Sequence, residues 1–160
     1  MTLQYQPPII ASVDEDTFLI QPQEVSLEAM CSGKFVVAID NRDKDALRLY
    51  GVLYSTQDSP TTEATHSGLF DILRKLQKLE YPFPTPIIGG GTIKANHQEK
   101  VIALSGSSTQ FGACPAEILI GCISSFPGYS KDIRDPSLIL PVRNQDAIKE
   151  WYYRHGFQVE

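Results

Sequence analysis

Pro86-Ile-Ile-Gly-Gly-Gly-Thr-Ile-Lys94, a polar turn Asn96-His-Gln-Glu99 and Lys100-Val-Ile-Ala-Leu104 precede the loop Ser105-Gly-Ser-Ser-Thr-Gln-Phe-Gly112 and the run Pro115-Ala-Glu-Ile-Leu-Ile-Gly-Cys-Ile-Ser-Ser125. The two apolar runs about the turn read as paired strands, and Pro115 to Ser125 reads as a helix stopped by Phe126-Pro127-Gly128. Glycine weakens a strand, so Gly89, Gly90 and Gly91 point to a bulge or to close approach by another backbone or a ligand. A loop of small residues just before a helix start can aim several backbone N–H groups at an anion.

Upstream, Gly33 to Ile39 is a β-branched run closed by Asp40-Asn41-Arg42-Asp43, and Leu47 to Tyr54 has the same character, so the two predict an antiparallel hairpin. Leu69, Ile72, Leu73, Leu76 and Leu79 recur at helical spacing, and Tyr81-Pro82-Phe83-Pro84 ends that helix. Residues 1–32 predict an edge strand or an irregular wrap. Leu138 to Val142 predicts a short strand, and Asn144 caps a helix from about Gln145 to His155 with Gly156 as its left-handed terminator. Helices interleaved with a hairpin-rich sheet predict one α/β (α+β) domain, a mixed β-sheet flanked by two or three helices.

With 42% hydrophobic and 21% charged residues in 160, the chain has the composition of a globular domain. A net charge of -5 argues against nucleic acid as a partner, since nonspecific affinity comes from cations on phosphates. Cys31, Cys114 and Cys122 match neither a paired disulfide framework nor a Cys-x-x-Cys metal spacing, and read as reduced thiols. No segment reaches the length needed to span a bilayer, so the expectation is a cytoplasmic protein with no membrane partner.

His66 falls three to four residues before Leu69 and Phe70, at the start of the predicted helix. A helix N-terminus favours the neutral imidazole, which suits a general base; the ordinary alternative is a helix-start histidine with one hydrogen bond. His97, in a polar turn, and His155, in a last helical turn, read as solvated or dipole-complementing. None of the three has a metal-ligand spacing, so no metal and no cofactor are expected. Lys34 either snorkels from a strand end or faces a bound oxyanion. Ser107, Ser108, Thr109 and Gln110 are either turn-formers or a phosphate nest.

The run Gly89-Gly90-Gly91-Thr92-Ile93, the hairpin to Gly106, Gly106-x-Ser108-x-x-Phe111-Gly112 and Phe126-Pro127-Gly128-Tyr129 together resemble the protein histidine phosphatase, or Janus/Ocnus, family. His66-x-x-Leu69-Phe70-Asp71 is similar to the segment holding that family's catalytic histidine, and Gly33-Lys34-Phe35-Val36 to the strand holding its lysine. The resemblance runs from about Gly33 to Tyr129, leaving 1–32 and 131–160 as peripheral extensions of a single domain 1–160. It implies His66 as general base, Lys34 as phosphate ligand, and Ser107, Ser108, Thr109 and Gln110 as the cradle, acting on a phosphorylated protein or a small phosphoramidate without a metal. The family has an arginine directly after the triple glycine where this chain has Thr92; Lys94, two residues on and so on the same strand face, is the expected substitute. Two other readings are a noncatalytic phosphate or phosphoprotein-binding module on the same fold, and a GNAT-like acetyltransferase. Leu140-x-Val142-Arg143-x-x-x-Ala147-Ile148-x-x-x-Tyr152-x-x-x-Gly156-Phe157 looks like the last strand and helix of the acetyltransferases.

Overall fold

β-Branched, aromatic and leucine side chains supply the large apolar residues of the long strands, and the sheet they form organises the molecule. The computed structural model describes residues 2–12, 17–18, 30–40, 42–55, 86–96, 98–126, 128–134 and 137–159. Within them lie β1 (Gln4–Tyr5), β2 (Ile9–Ser12), β3 (Thr17–Phe18), β4 (Met30–Ile39), β5 (Ala46–Ser55), β6 (Ile87–Asn96), β7 (Val101–Ser105), α1 (Ala116–Ile123), β8 (Ser130–Arg134) and α2 (Gln145–Arg154). One mixed sheet takes the order β3-β2-β5-β4-β6-β7-β8, with β1 also pairing β5. β4 pairs antiparallel with β5 and β6, and β6 with β7, whereas β2 and β8 lie parallel to β5 and β7. The expected β4–β5 hairpin and β6–β7 pair are present, in a single α+β domain.

Alternation along the strands separates two faces. One carries Phe35, Val37, Leu47, Leu49, Leu53, Ile93 and Leu104, buried against Ile118, Cys122 and Ile123 of α1 and Ile148 and Tyr152 of α2. At about 2 kcal/mol for each fully buried large apolar side chain, this core is the main stabilising term. β1 and α2, drawn from the two ends of the chain, belong to it. Tyr5 of β1 packs its ring over Gly121 of α1, and Trp151 Nε1 donates to Lys44 O at 2.7 Å. The opposite face carries Lys34, Thr92, Lys94, Ser105, Asp132 and Arg134.

The triple glycine combines both roles expected of it. The β4–β6 register slips between Val37 and Ala38, opposite Gly89 and Ile87, so a bulge sits there. A Cβ on Gly89 would lie 2.5 Å from Cys114 Sγ and 2.7 Å from Cys114 N, and one on Gly91 would strike Ser105 O and lie 2.8 Å from the Phe35 ring. Only bare backbone admits the returning segment Gly112–Cys114 under β6.

Two elements differ from expectation. Leu138 to Val142 does not join the sheet: Ile139 alone bridges Ala113, and Val142 N–H donates to Gln110 O at 2.9 Å. The strand in this part of the chain is β8, whose place beside β7 comes from long-range pairing and not from its own apolar content. α2 has the expected limits and Gly156 has φ 88°, but Asn144, at φ 61°, makes no side-chain cap bond. The helix predicted over Leu69 to Leu79 lies outside the described residues, as do His66 and His97.

Candidate functional site

Lys34 sits half-buried on β4, directly opposite Thr92 of β6, and Thr92 is opposite Ser105 of β7. Directly paired residues share a sheet face, so the three form one row. Strand spacing puts the Lys34 and Ser105 Cα atoms about 10 Å apart, within the span of a lysine side chain and a bound oxyanion. Lys94, opposite Ser32 and Ala103, is on the same face, about 7–8 Å diagonally from Lys34. Its exposed side chain stands beside Thr92, where the implied arginine is missing. Arg134 of β8 continues the row beyond Ser105. Arg48 of β5, opposite Ala38, is a further cation on this face, and its buried Nε has no hydrogen-bond partner among the described residues.

The loop begins where β7 ends. Gly106 makes the turn at φ 75°, in open space, so backbone angle alone calls for glycine there. Ser108 N–H donates to Gly112 O and Gly112 N–H to Ser108 O, both at 2.8 Å, closing a small ring. Ser108 Oγ accepts from Phe111 N–H at 3.1 Å, and Gly90 N–H donates to Gly112 O at 3.1 Å, fastening the ring to β6. Ser108 is therefore the clasp of the loop, 4% exposed, with its hydroxyl proton still to donate. Ser107, Thr109 and Gln110 are exposed, and the N–H groups of Thr109 and Gln110 have no protein partner among the described residues. Two unpaired amides on a fixed loop tip are suited to an oxyanion. Gln110 O is occupied by Val142 N–H, which ties the tip to the segment leading into α2.

Of the residues singled out in sequence, the structure places Lys34, Lys94 and the start of the Ser107–Gln110 loop on one polar sector. His66 remains outside the described residues. His155 is not solvated: its fully covered side chain puts Nδ1 2.8 Å from Trp151 O and Nε2 2.8 Å from Asp45 Oδ1, stapling the end of α2 to the β4–β5 turn. Its expected position at a helix C-terminus stands, but the role is structural. Asp132 and Arg134 were not singled out; only the pairing of β8 with β7 brings them to this face, and the alternation in Ser130-Lys131-Asp132-Ile133-Arg134 is the sole local sign.

Cys114 and Cys122 are free thiols, wholly enclosed, and burial pushes Cys114 up to about 12 and Cys122 well above its ordinary value. Neither supplies a nucleophile. No helix among the described residues is long and apolar enough to cross a membrane.

The sequence model of the Janus/Ocnus family (Ocnus) matches residues 23–130, a span that includes Lys34, His66, the triple glycine and the loop. No curated protein and no solved structure matches the chain. The strand that the acetyltransferase likeness needs over Leu140 to Val142 is not in the sheet.

Proposed function

The chain belongs to the Janus/Ocnus family, and from this premise we propose that it is a metal-independent phosphohistidine phosphatase-like hydrolase, cleaving a phosphorus–nitrogen bond. The observation that carries the reading is the row Lys34–Thr92–Ser105 running into a loop whose Thr109 and Gln110 amides point to no protein acceptor among the described residues. Lys34 and these amides hold the phosphoryl oxygens, and Ser108 Oγ–H and Lys94 add a donor and a second positive charge. Phosphoryl transfer leaves little covalent work to the protein, so positioning and charge stabilisation suffice in kind. His66, carried over from the family pattern, takes a proton from water. The water oxygen attacks phosphorus in line, and the P–N electron pair leaves on the substrate nitrogen, which is reprotonated. A phosphorylated protein in a reducing, cytoplasmic setting fits the two free buried thiols.

Hydrolysis of a phosphohistidine peptide tests this. His66→Ala should lower kcat by about 100-fold or more, the usual contribution of a general base, and Lys34→Ala should lower kcat/KM by about tenfold through loss of one charged contact. Equal rates for wild type and His66→Ala would exclude that base. Thr92 in the arginine position favours one competing reading, a binding module without turnover. Binding of a stable phosphohistidine analogue with no hydrolysis would select it.

A further inference from the structure

Beside the proposed phosphate site, on the sheet face that carries Lys34, β7 has short side chains and its neighbours β6 and β8 have long ones. Val101, Ala103 and Ser105 of β7 form a floor; Lys94 of β6 stands on one side, with Asp132 and Arg134 of β8 on the other. The result is a solvent-open trough of about 270 Å³ that runs along β7 and ends at Ser105, where the Gly106 loop begins. Asp132 Oδ2 holds Arg134 Nε at 3.0 Å, leaving both terminal guanidinium nitrogens and the other Asp132 oxygen without a partner among the described residues.

Charge along this trough is polarised. Lys34 and Arg134 lie level with Ser105, Lys94 and Asp132 face each other across Ala103 midway, and the exposed Glu99 closes the far end beyond Val101. In a chain of net charge -5, this is a local separation of sign and not general basicity. A free phosphate or small phosphoramidate would use only the cationic end. A ligand that uses the whole trough is extended, anionic at one end and cationic at the other. From this polarity we propose that the trough seats an extended segment of a phosphorylated protein, its phosphoryl-bearing residue at Ser105 and a Lys or Arg about four residues away facing Glu99. Strand rise makes that separation about 14 Å, the distance from Ser105 back to Val101. The inference rests on the phosphoryl reading above and narrows its substrate to a protein segment with a flanking base.

The test is fluorescence anisotropy at low salt with labelled peptides that hold a non-hydrolysable phosphohistidine analogue and either Lys or Glu at the fourth position to one side. One exposed charge pair predicts that the Lys peptide binds about threefold tighter than the Glu peptide, for one side of the phosphoryl residue only. The Glu99→Lys variant should reverse that preference, a gain that misfolding cannot mimic. Equal affinities in wild type, or a preference untouched by the charge reversal, would overturn the proposal. Turnover of phosphohistidine peptides without charge preference removes the trough but leaves the hydrolase; charge-selective binding without turnover does the opposite.

Discussion

Gly89 is a residue whose side chain has to be absent. An added Cβ would meet the sulfur and amide nitrogen of Cys114, both fully enclosed, so neither can yield cheaply. Gly89→Ala should cost about 2 kcal/mol, within the range for overpacking a core, and urea denaturation measures it; a midpoint equal to wild type would contradict this packing. Asp40 shows a single carboxylate organising a turn. Oδ1 accepts from Arg42 N–H at 2.7 Å and Asp43 N–H at 3.2 Å, while Oδ2 accepts from Gln6 Nε2 at 3.2 Å. These bonds, the Arg42 amide foremost, hold its carboxyl below the ordinary value of 3.8. A folded-state value below the unfolded one means the stabilisation is complete above about pH 4 and is lost as pH falls through the folded value. The Tm gap between wild type and Asp40→Asn should therefore narrow as pH falls from 6 to 3. A constant gap would show that the carboxylate charge has no part in it.

At the scale of elements, α2 is held by chemistry at several points. Trp151 donates to Lys44 O, its ring lies 4.3 Å from the His155 ring, and Tyr152 Oη donates to Ile88 O at 3.2 Å. Truncating Trp151 to Ala should cost about 3–5 kcal/mol as a buried aromatic, read from the guanidinium midpoint. A loss under about 1 kcal/mol would mean that the helix is only loosely attached. β4 to β7 and both helices were legible because β-branched runs, prolines and Gly156 announce themselves locally. β8 was not, having one strong apolar residue, Ile133, and a position fixed by register against Val101–Ser105. The same holds for the site. Lys34, Lys94 and the loop were each readable from neighbouring residues, whereas the alignment of Lys34 with Ser105 and Arg134 depends on pairing between strands far apart in the chain. For His155 the dipole-complementing alternative holds, through Nδ1 on Trp151 O, whereas the solvated one fails because the β4–β5 turn is brought against the ring.

For the molecule as a whole, the apolar face enclosing α1 and α2 sets an alkaline limit. Burial raises Cys114 to about 12, Cys122 well above 9.0, and Tyr152 far above its ordinary range. Groups whose folded values are raised stabilise fully below their unfolded values and lose that contribution as pH climbs past them. Tm should fall from about pH 9 upward, less steeply in the Cys114→Ala/Cys122→Ala variant; identical slopes would assign the fall elsewhere. Iodoacetamide mapping by mass spectrometry should leave both thiols unmodified until the protein is unfolded, and labelling of either in the native state would contradict the enclosure. On the opposite face we propose that Lys34 and the Thr109–Gln110 amides serve one anion. Titrating inorganic phosphate into ¹⁵N-labelled protein tests this pairing. The Thr109 and Gln110 amide resonances should move together to saturation, and Lys34→Ala should weaken that response by about tenfold. Resonances that stay fixed while phosphate perturbs other parts of the protein, or a response indifferent to Lys34, would contradict it.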